Sequence, residues 1–163
     1  MKNRSQKQFE IGPVTLDEED GKLTRLGLPG TRLPPLDADA KIGDTPLSRR
    51  AFRELEEYFA GRRATFTLPL APRGTPFQLR VWAELRKVEY GGRVSYGELA
   101  KRAGSPAAAR AVGGAMNKNP LAIFIPCHRV VGSGGSLTGF GGGLPLKEKL
   151  LGLESPRPVK SKP

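Results

Sequence analysis

The 163-residue chain carries a net charge of +11, and its length suits one domain or two small ones. Its one Cys excludes an internal disulfide, and one Cys with one His gives too few soft ligands for a protein zinc site, so we expect neither a metal nor another cofactor. Because no apolar run approaches the roughly 20 residues of a membrane span and no apolar secretory segment begins the chain, the sequence predicts a soluble, cytoplasmic protein.

The pattern of residues 1–72 predicts a small α/β scaffold domain. The polar residues 1–8 are expected to be frayed. Two strands are predicted at residues 9–16 and 22–28, and the acidic turn between them, which ends in Gly21, makes them a hairpin.

A loop rich in Pro and Asp, residues 29–46, follows the hairpin. Apolar side chains then recur at helical spacing from Pro46 to Ala60, which predicts a helix that Gly61 stops. Residues 64–68 predict a third strand. No residue in this half of the chain indicates chemistry.

A linker at residues 69–74 leads into a second predicted domain, residues 73–154. Thr75 and Gln78 are typical of a capping box at the start of a helix, which Gly91-Gly92 ends. The short stretch that follows is expected to be extended.

Two short helices come next in quick succession. A capping box that begins at Ser95 opens the first helix, and Gly104 closes it. Ser105 and Pro106 are predicted to cap and start the second helix, residues 107–118. Two helices joined by a glycine-containing turn in a basic domain are typical of a helix-turn-helix, although an ordinary αα-hairpin has the same spacing.

The second of these helices is thin. Small residues make up most of it: Ala107, Ala108, Ala109, Ala111, Gly113, Gly114 and Ala115. Arg110 is the one long cationic side chain in its interior, so the helix offers almost nothing that reads base edges. A glycine inside a helix lowers helix stability by about 1 kcal/mol relative to alanine. The glycine pair therefore implies that the thinness of this helix has a compensating advantage. Such a helix suits a narrow groove with little sequence preference, or tight packing against a neighbouring helix.

The positive charge is unevenly placed. Residues 1–72 hold 12 Lys and Arg against 11 Asp and Glu, whereas residues 73–154 hold 12 against 5. A basic domain attracts nucleic acid through release of counterions. A solvated, solubilising surface is the alternative.

The one cysteine and the one histidine are neighbours, Cys127 and His128, inside an apolar run. Ile125 precedes a proline and is expected to be strand-like, with the cysteine just past the strand end. A reactive thiol needs a base or a positive field, which His128 and Arg129 offer. Because neighbours in extended chain point to opposite sides, a bridging water suits the pair better than a direct hydrogen bond. A cysteine that serves only as a small core hydrophobe is the alternative.

A glycine-rich loop, residues 132–143, follows as either a pocket wall or a surface loop. A last helix is predicted from Pro145 to Leu153, with Glu154 at its end. Residues 155–163 form a basic, Pro-rich tail that is expected to be disordered.

Together these features resemble the O6-alkylguanine-DNA alkyltransferases, also called methylated-DNA–protein-cysteine methyltransferases. The run from Ile125 to Val131 is similar to their active-site motif, and further similarity is spread over residues 46–154. The resemblance implies a mixed α/β (α+β) fold, in which a small ribonuclease-H-like N-terminal domain precedes a helical winged helix-turn-helix domain.

The resemblance also implies a reaction. Members of the family flip an alkylated guanine out of duplex DNA and transfer the alkyl group irreversibly to a cysteine, each molecule acting once. Here Cys127 would be the acceptor, His128 would draw its proton through a water, and Glu154 would orient the imidazole. Tyr96 would meet the phosphate beside the flipped nucleotide and protonate guanine N3, and Asn119 would brace the turn that carries the cysteine.

On the DNA side, the resemblance implies a monomer that binds double-stranded DNA in the minor groove with little sequence preference. Arg110 would fill the gap left in the base stack. Four small residues would approach the groove: Ala109, Ala111, Gly113 and Ala115. The implied pocket residues are Met116, Val130, Phe140 and Gly141. Phe140 replaces the usual tyrosine and Gly141 the frequent Ser or Ala, which leaves the range of alkyl groups open.

Three other interpretations fit parts of this pattern. An alkylguanine-binding relative without transfer lacks the acceptor cysteine, so Cys127 disfavours it. A helix-turn-helix regulator would read a defined operator, which a helix of Ala and Gly disfavours. A cysteine hydrolase would use Cys127 and His128, but adjacency is poor geometry for direct proton transfer.

Overall fold

The computed structural model describes residues 1–132 and 143–155, and within them the chain has the mixed α/β fold class expected from its sequence. The N-terminal elements are β1 (Lys2–Phe9), β2 (Gly12–Glu19), β3 (Lys22–Gly27), β4 (Lys41–Ile42) and α1 (Pro46–Phe59). The C-terminal elements are α2 (Pro76–Leu85), β5 (Val94–Ser95), α3 (Tyr96–Arg102), α4 (Ala109–Asn117), a 3₁₀ turn (Cys127–Arg129), β6 (Val130–Val131) and α5 (Leu144–Leu153).

The N-terminal sheet has the strand order β3-β2-β1-β4, and the predicted hairpin is its β2-β3 pair. The prediction that residues 1–8 are frayed is wrong, because β1 pairs with β2 along its whole length. Its polar side chains find partners in the fold: Arg4 Nε donates to Asp17 at 2.7 Å, and Asn3 Nδ2 donates to the Gly43 carbonyl at 2.7 Å. The polar side chains of β1 therefore did not indicate a frayed, solvent-exposed segment.

Helix α1 packs beside this sheet and begins as the sequence predicts, with Thr45 as its N-cap. The third strand predicted at residues 64–68 does not form. The buried Glu54 carboxylate instead accepts the Thr67 amide at 3.0 Å and its hydroxyl at 2.6 Å. A side chain of α1 thus satisfies a backbone donor that a sheet would otherwise have used.

In the C-terminal part, the capping box of Thr75 and Gln78 is present at the start of α2, which ends at Leu85, before the glycine pair expected to stop it. The Ser95 side chain caps the start of helix α3. Gly104, just after its end, has a left-handed backbone with φ +81°. Helix α4 starts later than predicted, at Ala109, and Ser105 and Pro106 form a turn before it and do not cap it.

The two parts share one buried core, with Trp82 among its largest side chains. Strand β3 contacts the C-terminal part directly, because the Leu26 amide donates to the Pro120 carbonyl at 2.8 Å. The scaffold therefore supports the segment that leads to Cys127. Within the described ranges, no helix is long and apolar enough to span a membrane.

Candidate active site

The segment before Cys127 is a tight turn that Asn119 spans. The Asn119 side chain accepts the Leu121 amide at 3.0 Å and donates to the Ile125 carbonyl at 2.9 Å. The Ile125 amide in turn donates to the Leu121 carbonyl at 2.8 Å. Ile123, at the centre, has φ +75°, a left-handed conformation that a β-branched residue rarely adopts. The surrounding bonds hold this strained residue, so the approach to the cysteine is rigid.

Cys127 begins a 3₁₀ turn and does not follow a regular strand, although Ile125 makes an isolated bridge to Ala122. The cysteine is buried with 7% of its surface exposed, so it is sheltered but not sealed. Burial raises the pKa of its thiol to about 11, while the hydrogen bond with Asn119 and the positive charge of Lys147 act in the opposite direction. The resting thiol is therefore protonated, and its reaction requires a base.

His128 is completely buried beside it. Its Nε2 lies 2.7 Å from Glu154 Oε2. Because a carboxylate only accepts hydrogen bonds, Nε2 carries the proton and Nδ1 keeps its lone pair. Nδ1 has no hydrogen-bond partner among the described residues. Burial lowers the pKa of His128, outweighing the effect of Glu154, so the imidazole is neutral and Nδ1 is able to accept a proton.

Glu154 is the centre of a buried network. Arg129 donates to it through Nε at 2.7 Å and through Nη2 at 3.0 Å. Burial alone would raise the pKa of Glu154, but the hydrogen bonds from His128 and Arg129 outweigh it and lower the pKa to about 2. The sequence indicates Arg129 as a source of positive field for the thiol. In the structure its guanidinium pairs with Glu154 instead.

Two residues of the site lie in segments that resemble the family, but the sequence assigned neither of them a role. The buried Tyr58, from α1, donates its hydroxyl to Glu154 Oε2, so the N-terminal half, in which no residue indicated chemistry, contacts the site. Lys147 of α5, only 1% exposed, donates from Nζ to the Val130 carbonyl at 2.7 Å. A long-range contact with a buried carboxylate, or a lysine on an apolar helix face, becomes visible only once the chain is folded.

The surface of α4 presents most of the residues expected to meet DNA. Arg110 and Ala111 are exposed, and Ala109 and Gly113 are half-buried. Ala115 differs, since it is 1% exposed and its carbonyl accepts the Trp82 Nε1 proton at 3.0 Å. The prediction that Ala115 contacts DNA is therefore wrong, because this position of the helix faces the core.

Packing within the described part of the chain does not require the glycines of α4. A Cβ built at Gly113 or Gly114 meets no heavy atom within 4 Å among the described residues. Within residues 1–132 and 143–155, these two positions therefore do not pack tightly against a neighbouring helix, which was the alternative for this thin surface. The slender side of α4 is turned outward.

The remaining pocket residues are only partly described. Tyr96, at the start of α3, and Met116, near the end of α4, are both half-buried. Phe140 and Gly141 lie outside the described residues. A cavity of about 680 Å³ lies beside Pro126 and Arg129, but Cys127 does not line it, so it is not a site for a base that reacts with the thiol.

Comparison with known families matches both parts of the chain. Residues 5–72 match the ribonuclease-like domain of 6-O-methylguanine DNA methyltransferase, and residues 76–156 match its DNA-binding domain. The chain belongs to this family.

Individual relatives agree with the match over most of their length. The methylated-DNA–protein-cysteine methyltransferase of Methanosarcina acetivorans is 47% identical over 148 residues, which covers 88% of this chain and 92% of the relative. The constitutive enzyme of Bacillus subtilis is 42% identical, with 88% and 90% covered. The crystal structure of Mycobacterium tuberculosis OGT in complex with DNA superposes with a TM-score of 0.86 at 43% identity, covering 93% and 92%.

Proposed function

We propose that this protein repairs O6-alkylguanine, mainly O6-methylguanine, in duplex DNA by moving the alkyl group irreversibly to Cys127. One arrangement of buried residues carries the proposal. His128, which is neutral, follows the one cysteine of the chain and donates a hydrogen bond to Glu154. A protonated thiol beside a neutral imidazole supplies a nucleophile and its base.

The chemistry is an in-line displacement at the alkyl carbon. The Cys127 thiol gives its proton through a bridging water to Nδ1 of His128, and its sulfur forms a bond to the alkyl carbon. The bond from that carbon to guanine O6 breaks, and the electron pair goes to the guanine. Glu154, whose pKa is lowered to about 2, remains a carboxylate and stabilises the imidazolium that results. The thioether is not hydrolysed, so each molecule acts once.

Residues around the thiol assist this step. Tyr96 contacts the phosphate beside the flipped nucleotide and protonates guanine N3, so that a neutral base leaves. Asn119 holds the turn before the cysteine through its two backbone hydrogen bonds. The Val130 carbonyl, which Lys147 holds at 2.7 Å, has a second lone pair with which it accepts a hydrogen bond from the base. Met116, Phe140 and Gly141 complete the pocket.

DNA binding uses the outward face of α4, placed in the minor groove. Arg110 fills the stack where the guanine has left, which offsets part of the few kcal/mol that flipping costs. Ala109, Ala111 and Gly113 allow close approach to the backbone and do not read sequence. Damage is therefore found in any sequence context.

We infer that the two parts of the chain have separate roles, which the two family matches support. Residues 1–72 form the scaffold, residues 73–154 bind DNA and accept the alkyl group, and a single copy of the chain is sufficient. We infer a monomer that works in the cytoplasm.

The test is a titration of an O6-methylguanine duplex in excess over the protein. Restoration of guanine should stop at one lesion per chain, and Cys127→Ser should restore none. Continued restoration beyond that ratio would overturn a single-use mechanism. Tight binding with no restoration by the unmodified protein would favour an alkylguanine-binding protein without transfer.

A further inference from the structure

One donor to Glu154 comes from outside the part of the chain that binds DNA. Tyr58 lies 96 residues away in sequence, on α1 of the scaffold, and its hydroxyl donates to Glu154 Oε2. The same oxygen accepts from His128 Nε2 at 2.7 Å and from Arg129 Nη2 at 3.0 Å. The scaffold thus reaches the reaction centre through a single hydrogen bond to the carboxylate.

The phenol of Tyr58 is held firmly. Its side chain is completely buried, and its ring lies 5.4 Å from that of Phe66 and 6.3 Å from that of Tyr90, the latter edge-on. Burial and the adjacent Glu154 charge raise its pKa, so the hydroxyl keeps its proton and remains a donor at any working pH. Turning it away from Glu154 would require opening of the core.

We propose that Tyr58 is a positioning residue for alkyl transfer, in which the scaffold fixes the Glu154 carboxylate that orients His128. The inference rests on the proposed function, since that function is what makes His128 the base. It assigns to the N-terminal domain a direct part in the chemistry, in addition to its structural support of the cysteine segment.

The hydrogen bond has a second, electronic consequence. Three donors share Oε2, and each reduces the negative charge available to the others. Without the Tyr58 hydroxyl, the carboxylate is more basic and holds the imidazole N–H more strongly, which raises the pKa of His128. The other charged groups that act on His128 and Glu154 are Arg129 and Lys147, and a Tyr58→Phe variant retains both. It also retains the Cys127 thiol beside Lys147 and the neutral Tyr90 phenol beside Tyr58.

The one histidine of the chain makes this measurable, because isotope-labelled histidine gives a single imidazole signal in NMR. The pKa of His128 should move upward in Tyr58→Phe relative to the unmodified protein. Tyr90→Phe is the matched control, since it removes a hydroxyl that donates to the Leu153 carbonyl at 3.2 Å and not to the carboxylate. A Tyr58→Phe titration that superimposes on that of the unmodified protein would overturn the proposal.

Kinetics with free benzylguanine provide the second readout. Tyr58→Phe should react about tenfold more slowly, as expected for loss of a hydrogen bond to a charged group. The acid side of its rate profile should move to higher pH, while Tyr90→Phe keeps the profile of the unmodified protein. An unchanged rate and profile in Tyr58→Phe would show that the hydroxyl does not position the base. If the unmodified protein transfers nothing, the proposed function fails. The NMR titration still tests whether the Tyr58 hydroxyl affects the pKa of His128.

Should Tyr58→Phe not fold, NMR of the unmodified protein tests the hydrogen bond directly. The hydroxyl proton of Tyr58 should then exchange slowly and show a nuclear Overhauser contact with the His128 ring. A hydroxyl that exchanges rapidly and lacks this contact would contradict the proposal.

Discussion

Arg129 and Glu154 form a buried bidentate pair, with Nε 2.7 Å from Oε1 and Nη2 3.0 Å from Oε2. The third nitrogen of the guanidinium, Nη1, donates to the Val88 carbonyl at 2.7 Å. The pair neutralises a carboxylate deep in the core, and it leaves Lys147 as the cation that lowers the pKa of the Cys127 thiol. We therefore expect Arg129 to affect the reaction through Glu154.

The first prediction concerns this pair. Arg129→Met should lower the free energy of unfolding by about 3–5 kcal/mol, because it leaves the Glu154 charge buried with fewer partners. Arg102→Met, which breaks an exposed pair with Glu98 at 3.4 Å, is the control and should cost less than about 1 kcal/mol. Urea unfolding of both variants gives the comparison. Equal losses of unfolding free energy in the two variants would show that the buried Arg129 pair contributes no more to stability than an exposed pair.

The second prediction concerns the outward glycine of α4. Gly113→Ala should stabilise the folded protein by up to about 1 kcal/mol, because alanine favours helix and the added Cβ meets no atom of the described protein. Repair of duplex DNA should nevertheless become slower, because the added methyl group stands between the helix and the groove.

Gly152→Ala is the matched control for that variant. Gly152 lies in α5, and a Cβ built there also meets nothing within 4 Å. It should give a similar gain in thermal stability with no change in duplex repair. If both variants repair duplex DNA at the rate of the unmodified protein, the thin side of α4 is not the DNA-binding surface.

Local signals in the sequence predicted much of the fold. Caps such as Thr75 with Gln78 depend on residues within one turn, so the start of α2 follows from spacing alone. Strand β1 was missed because its polar side chains pair across the sheet, for example Arg4 with Asp17. Such pairing is decided by tertiary structure and not by composition.

In the site, too, local signals in the sequence were predictive and long-range contacts were not. Cys127 and His128 are found by their adjacency and by the resemblance of the motif around them. The contact of Tyr58 with Glu154 could not be predicted, because this hydrogen bond joins residues 96 positions apart. The burial of Ala115, which is 1% exposed, could not be predicted, because the run of small residues in α4 does not indicate which side of the helix packs on the core.

The third prediction separates DNA handling from chemistry. Arg110→Ala should weaken repair in duplex DNA by at least about tenfold, because the flipped-out state loses the side chain that fills the stack. Its reaction with free benzylguanine should be nearly unchanged, since Arg110 is exposed on α4. Arg53→Ala removes the same charge from an exposed position of α1 and should affect neither reaction. Equal losses with both substrates would refute the stack-filling role.

The fourth prediction concerns pH. The pKa of His128 is lowered by burial, so its neutral form persists as the pH falls through the usual range of histidine, and the rate with benzylguanine should decline only below that range. The pKa of Cys127 is raised to about 11, so a mechanism that needed a preformed thiolate would accelerate about tenfold per pH unit up to that value. With His128 as the base, the profile should instead be flat between about pH 7 and pH 9. A continuous rise over that interval would contradict the role of His128.

The central claim is that one sulfur atom takes the alkyl group and keeps it. The most direct measurement is a peptide mass map after incubation with duplex DNA that contains O6-methylguanine. We expect the peptide containing Cys127 to gain the mass of one methyl group, in proportion to the guanine restored, while all other peptides are unchanged. Restored guanine with an unmodified Cys127 peptide, or a methyl group on a different residue, would contradict it.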